Sequence, residues 1–180
     1  MRDKAAVRAD LLGHRAARPV AERTAAGRAI ADALRELLSG ATRVAAYVGV
    51  GSEPPTAELL AELPEVLLPV LRPDGDLDWA LGHEVRPGAR GLLEPTGPRL
   101  GVAAIAACDV VLVPALAVDR RGIRLGRGGG SYDRVLPRAT GLTVALVYDE
   151  ELVDLLPHEP HDIAVAAAAT PSYGLVRLPQ

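Results

Sequence analysis

The part of the chain that most restricts its fold is the junction at residues 109–134, where the apolar run DVVLVPALAV (109–118) gives way to GIRLGRGGGSYDR (122–134). A Val-rich run without polar interruption is the pattern of a strand covered on both faces, and such strands belong almost exclusively to parallel sheets. It contains a proline and is half the length a bilayer span needs, so the chain has to bury it in a core of its own. A chain of 180 residues is long enough to do so as one domain. RVAAYVGV (43–50), VLLPVL (66–71), LTVALVY (142–148) and IAVAA (163–167) read as further strands, and LDWAL (77–81) pairs beside 66–71 after the turn PDGD. Helical spacing covers 2–17, with Val7, Leu11 and Leu12 on one side, and 20–38, with Ile30, Leu34, Leu37 and Leu38. Shorter helices are expected at 56–63 with Thr56 as N-cap, near 100–107, at 131–139 where Pro137 cuts the segment, and at 151–156. Residues 82–99 are rich in Gly and Pro and are expected to wander over the surface. The alternation predicts a single domain over residues 1–180, a three-layer α/β/α arrangement with a mostly parallel, Rossmann-like sheet.

Composition narrows the partners. Hydrophobic residues make up 49% and charged residues 24%, the balance of a soluble globular chain. The amino terminus MRDKAAVRADLLGHR has no apolar stretch of a secretory signal, and Cys108 stands alone, so a cytoplasmic protein without an internal disulfide is expected. Cys108 itself reads as a core residue. A net charge of −3 argues against a broad nucleic-acid surface, and with no Phe, one Trp and four Tyr there is little to stack on exposed bases. The expected partner is a small anion in a local basic pocket. No heptad seam or exposed apolar stripe is present, which favours a monomer.

In open α/β sheets ligands bind beyond the carboxyl ends of the strands, so the loops after residues 50, 118, 148 and 167 are expected to share one rim. The strongest chemical signal there is 122–134. Glycines at 122, 126, 128, 129 and 130 free the backbone to direct several N–H groups into one concavity, and Arg124, Arg127 and Arg134 add charge. Ser131 can open a helix whose amino terminus favours the same anion. Together these make a phosphate cradle; the plainer alternative is a surface loop made soluble by arginine. GxxxxGK followed by Ser or Thr is absent, and Gly126, Gly128 and Ser131 fit GxGxxG only loosely. Asp133 reads either as a Mg²⁺ ligand beside the bound phosphate or as an ordinary first-turn acid. Nineteen of the twenty basic residues are Arg; the one Lys, at position 4, shares a helix face with Arg8, where the two cations either hold a phosphate or simply spread into solvent. Glu53, stiffened by Pro54 and Pro55, is a ligand contact or a cap. HEPHD (158–162) is not HExxH, and Pro160 forbids the helical spacing of that zinc motif; Asp162 either faces the rim with Asp133 or is a turn carboxylate.

Taken together, VPALAVDRRGIRLGRGGGSYDRVL strongly resembles the signature of the 5-formyltetrahydrofolate cyclo-ligase family, also called 5,10-methenyltetrahydrofolate synthetases. Lys4 and Arg8, the ExxT of Glu53 to Thr56, the Glu94–Pro95 pair, and the late His161–Asp162 follow in the family's order, so the resemblance covers nearly the whole chain. It implies an enzyme that uses ATP and Mg²⁺ to close 5-formyltetrahydrofolate into 5,10-methenyltetrahydrofolate, releasing ADP and phosphate. By similarity, ATP would be held by Lys4, Arg8 and the stretch Arg124, Leu125, Gly126, Arg127, Gly128, Gly129, Gly130, Ser131 and Tyr132, with Arg124 and Tyr132 acting in catalysis. Val48, Glu53 and the part of the loop from Arg127 to Ser131 would touch the folate, and Asp133 and Asp162 would hold Mg²⁺. Three positions depart from the family: Gly129 stands where some members have Lys, Ser131 where an aromatic is frequent, and Val118 where Phe is frequent. These departures bear on substrate affinity. A phosphate- or nucleotide-binding α/β domain without turnover, a sensor or a partner of another folate or thiamine enzyme, is the competing class, because fold and cradle alone do not establish chemistry.

Overall fold

A computed structural model describes residues 3–179. Helix α1 (Lys4–Ala17) starts where the Asp3 carboxylate accepts the Ala6 N–H at 2.7 Å; residue 2, included in the sequence reading, lies outside the described residues. Helix α2 (Val20–Ser39) follows Pro19, ends at Gly40, and buries Ile30, Leu34 and Leu38 of the expected stripe, with Leu37 half-buried beside them. The central sheet has seven strands in the order β12-β11-β9-β6-β1-β2-β3, comprising β1 (Val44–Ala45), β2 (Val66–Leu71), β3 (Leu77–Leu81), β6 (Val110–Pro114), β9 (Leu142–Leu146), β11 (Ala167–Thr170) and β12 (Gly174–Arg177). The five inner strands are parallel, and β3 and β12 run antiparallel at the two edges.

Because side chains alternate along a strand, each inner strand feeds two cores. On one face Val110, Leu112, Val144 and Leu146 meet Ile30 and Leu34 of α2 and Leu59 and Leu60 of α3 (Ala57–Ala61). On the other Val111, Val113 and Ala145 meet Ile105, Cys108 and Val135, the last in α4 (Ser131–Val135). Helical layers on both faces of a mostly parallel sheet match the expected architecture. Helix α1 instead lies on a small second sheet, β10-β7-β8, formed by β7 (Ala117–Asp119), β8 (Arg124–Leu125) and β10 (Leu152–Val153), with Val7 and Leu11 against Ala117, Leu125 and Leu156. Among the described residues no helix is long and apolar enough to cross a membrane.

Several elements differ from the sequence reading, each for a tertiary reason. The run 109–118 is not one strand: pairing with β9 stops at Pro114, which has no N–H to donate, and the chain changes sheets so that Leu116 N–H reaches Leu125 O at 2.7 Å. The strand expected over 43–50 is paired only at Val44–Ala45, because the Thr56 hydroxyl accepts from Gly49 N–H and donates to Tyr47 O, both at 2.9 Å. Thr56 therefore clips the turn and makes no side-chain cap for α3. The helix expected at 151–156 is absent beyond Glu151, which ends a 3₁₀ turn (Asp149–Glu151); Leu152 and Val153 pair with Val118 and Asp119, and the buried Asp119 carboxylate accepts from Leu156 N–H. The strand expected at 163–167 begins only at Ala167 and runs to Thr170. The 100–107 helix is a 3₁₀ turn at 102–107, and 131–139 divides into α4 and a 3₁₀ turn at 136–138 around Pro137. Within 82–99, β4 (Val85–Pro87) and β5 (Leu93–Pro95) form a hairpin, its tip turned through Arg90 at φ 54°.

Candidate functional site

A cavity of about 480 Å³ opens at the carboxyl ends of β1, β2 and β6, within the size range of small-molecule sites. Topology explains its position: the chain leaves β1 towards β2 on one side, while β6, β9 and β11 build out the other, and a crevice forms where strand order reverses. The segments after β1 and β6 enter the lining as expected; the loops after 148 and 167 do not, and their place is taken by 159–162, α1 and the β4–β5 hairpin.

One wall is the segment 124–133. β8 fixes Arg124 and Leu125 in the small sheet, after which the backbone turns through Gly128 at φ 103° and Gly130 at φ 67°, conformations that residues with a Cβ rarely adopt. Helix α4 does start at Ser131, but it has five residues and no side-chain cap, so the amides and arginines of the loop outweigh any helix dipole. Arg8 donates through Nε to the Gly126 carbonyl at 2.8 Å, tying the loop to α1. Four residues earlier on the same helix face, Lys4 Nζ donates to both Asp162 oxygens at 2.6 and 2.9 Å and to Glu159 at 2.9 Å. Lys4 is thus held by carboxylates and not spread into solvent. Burial opposes the charges of both Lys4 and Asp162, but their mutual attraction outweighs it, raising the pKa of Lys4 and lowering that of Asp162.

Arg124, which is buried, donates to Asp133 at 2.6 Å, and the same carboxylate oxygen accepts from Ile163 N–H at 3.4 Å. That bond brings Asp133 to the backbone one residue from Asp162, so the two aspartates anchor adjacent points of one segment. Glu53 accepts from Val50 N–H at 2.9 Å and lies 3.4 Å from Arg127, so it caps its turn and lines the cavity at once. Tyr132 has a buried hydroxyl with no hydrogen-bond partner among the described residues, and burial pushes its phenol pKa upward. Val48, Pro69, Leu71, Leu77 and Leu92 add apolar side chains to the lining. Gly129 and Ser131 line the cavity, but Val118 is fully buried in the second core, so the substitution there is a matter of packing.

Glu159, His161 and Asp162 bring ligand atoms within 4.8 Å of one another. The Lys4 ammonium already sits on two of those three groups, so a metal cation reaches them only where Lys4 gives up part of that pairing. Arg15, Tyr47 and Arg90 are among the cavity residues that the sequence does not single out. Arg15 was legible in principle, since positions 4, 8 and 15 fall on one helical stripe; it is buried, donates to Glu151 twice at 2.7 Å and to Ala115 O at 2.6 Å. Tyr47 reads from sequence as one more strand residue, and nothing local marks Arg90 at the hairpin tip as a cavity residue.

The model of the 5-formyltetrahydrofolate cyclo-ligase family matches residues 1–171. A Mycolicibacterium smegmatis 5-formyltetrahydrofolate cyclo-ligase is 44% identical, with 98% of each chain covered, and the Escherichia coli K12 protein of that name is 34% identical over 72% of this chain and 78% of its own. Among solved structures, the Aquifex aeolicus 5,10-methenyltetrahydrofolate synthetase superposes with a TM-score of 0.84 at 28% identity, covering 98% of this chain and 93% of the other.

Proposed function

Because this chain belongs to the 5-formyltetrahydrofolate cyclo-ligase family, we propose that it converts 5-formyltetrahydrofolate to 5,10-methenyltetrahydrofolate at the expense of ATP, with ADP and phosphate as the other products. The observation that carries the ATP-dependent reading is the division of this cavity's lining between the cationic, amide-rich segment 124–133 and apolar side chains such as Val48, Leu71 and Leu77. Two dissimilar substrates, one polyanionic and one a flat heterocycle, need such a division to meet.

The formyl oxygen attacks the γ-phosphorus of ATP, the bond to the bridging oxygen breaks, and ADP leaves. N10 then attacks the activated formyl carbon and gives up its proton to the departing phosphate as the carbon–oxygen bond breaks. Phosphoryl transfer of this kind is catalysed by positioning and by neutralising charge. Arg8, by gripping the Gly126 carbonyl, holds the loop so that its amides face the phosphates. Lys4 and Arg124 are the cations beside the transferring group; each is paired with an aspartate in the ligand-free protein and exchanges part of that pairing for phosphate oxygens. Tyr132 offers a neutral hydroxyl, and Glu53 a carboxylate fixed in direction by its own turn.

Asp133 and Asp162 fit a hard cation: both are oxygen donors, they anchor adjacent points of one segment, and Asp162 is ionised well below neutral pH. Mg²⁺ held there supplies neutralisation of phosphate charge. Asp133→Asn is then expected to raise the Mg²⁺ needed for half-maximal ATP binding by about ten- to a hundred-fold, measured by titrating the metal at fixed nucleotide. A wild-type titration would remove Asp133 from the metal site. The reaction itself is tested by ADP formation that requires the folate.

A further inference from the structure

Tyr47 lies at the end of the β1 segment, 5% exposed, its ring packed in the core under α2 and α3 while the residue also lines the cavity. Its hydroxyl is buried and has no hydrogen-bond partner among the described residues. A buried polar atom left in this state is a net penalty to folding, and native structures retain few of them. The core offers no reason to keep it, since Phe would fill the same space.

The groups acting on the hydroxyl indicate what completes it. It stands in the electrostatic reach of Glu53, Tyr132, Arg15 and Glu151, and the first three of these also line the cavity. Glu53 there is an anion fixed by Val50 N–H, which disfavours a phosphate approaching the same spot. The cations that suit a phosphate, Lys4, Arg8 and the arginines of the glycine loop, are not among the groups that act most on this hydroxyl, and Val48 next to Tyr47 adds an apolar side chain to the lining. Burial also keeps the phenol protonated, so it presents one donor and acceptor capacity without charge.

We infer that the Tyr47 hydroxyl is a specificity-determining contact for the folate, making its missing hydrogen bond to a neutral polar atom of the reduced pterin ring system and none to ATP. This rests on the proposed cyclo-ligase reading. A hydroxyl waiting for substrate is dispensable to the empty protein and needed by the complex, the reverse of a structural role.

The test is Tyr47→Phe, compared with wild type in three measurements: the melting temperature of the ligand-free protein, the affinity for 5-formyltetrahydrofolate, and the affinity for ATP. Expected are an unchanged or raised melting temperature, folate affinity weakened about five- to thirty-fold, and unaltered ATP affinity. Unchanged folate affinity overturns the inference, as does a lowered melting temperature that accounts for the loss of binding, or a loss falling on ATP instead. Wild-type protein that binds no folate overturns the cyclo-ligase reading, a result distinct from equal binding by both proteins.

Discussion

Arg15→Met is expected to lower folding stability by about 3–5 kcal/mol, a fall of about 10 °C in melting temperature for a chain of this size. The arginine is buried and gives two hydrogen bonds to Glu151 and one to the Ala115 carbonyl, so its loss strands a carboxylate inside the protein. Burial already pushes the Glu151 pKa above its ordinary value of 4.5 with the arginine in place; without it the shift grows. In the variant, a carboxyl whose folded pKa exceeds its unfolded one stabilises most when protonated. That contribution is complete below about pH 4.5 and is lost as pH rises through the raised folded pKa. The deficit of Arg15→Met is therefore smaller at pH 4 than at pH 8. The double variant Arg15→Met, Glu151→Leu, which removes both charges, should recover most of the stability. Denaturant unfolding at the two pH values checks all three statements; an equal deficit in the single and double variants would show that shape and not charge pairing holds α1 against the β9–β10 turn.

Lys4→Gln is expected to weaken ATP by about ten- to a hundred-fold, the scale of a hydrogen bond to a charged group. Lys4 carries the one ammonium in a chain of nineteen arginines, and its three donors meet three carboxylate oxygens on Asp162 and Glu159. Gln removes the cation and leaves those carboxylates to repel the triphosphate. Lys4→Arg should not restore the affinity, because a planar fork on a longer stem cannot replace a compact ammonium among oxygens arranged around a point. Nucleotide affinity, measured with the melting temperature of each variant, separates loss of a phosphate contact from loss of the α1 anchor. Unaltered ATP affinity in folded Lys4→Gln would assign Lys4 to holding the 159–162 segment alone.

Much of the sheet was legible because the buried parallel strands are continuous apolar runs whose identity depends on composition. The α2 stripe was legible because 3.6-residue spacing is local information. What escaped was decided by partners far along the chain. Nothing in Leu152–Val153 distinguishes a short helix from a strand until Val118 and Asp119 stand beside it. Thr56 has the composition of an N-cap, but its hydroxyl is claimed by Tyr47 and Gly49 nine and seven residues back. The turning of the 124–133 segment along the cavity was readable from its glycines, whose backbone freedom is intrinsic. Its neighbours were not: the pairing of Lys4 with Asp162 spans nearly the whole chain, and the role of Arg15 depends on Glu151 being buried with it.

The most direct measurement is the absorbance of 5,10-methenyltetrahydrofolate formed by the purified protein, followed together with ADP, with each of 5-formyltetrahydrofolate, ATP and Mg²⁺ omitted in turn. If ATP and the folate meet in this cavity, methenyl product forms only when all three are present, with one ADP formed per ring closed. ADP produced at the same rate without the folate, or no methenyl product from folded protein, would contradict it and leave a nucleotide-binding domain without ring closure.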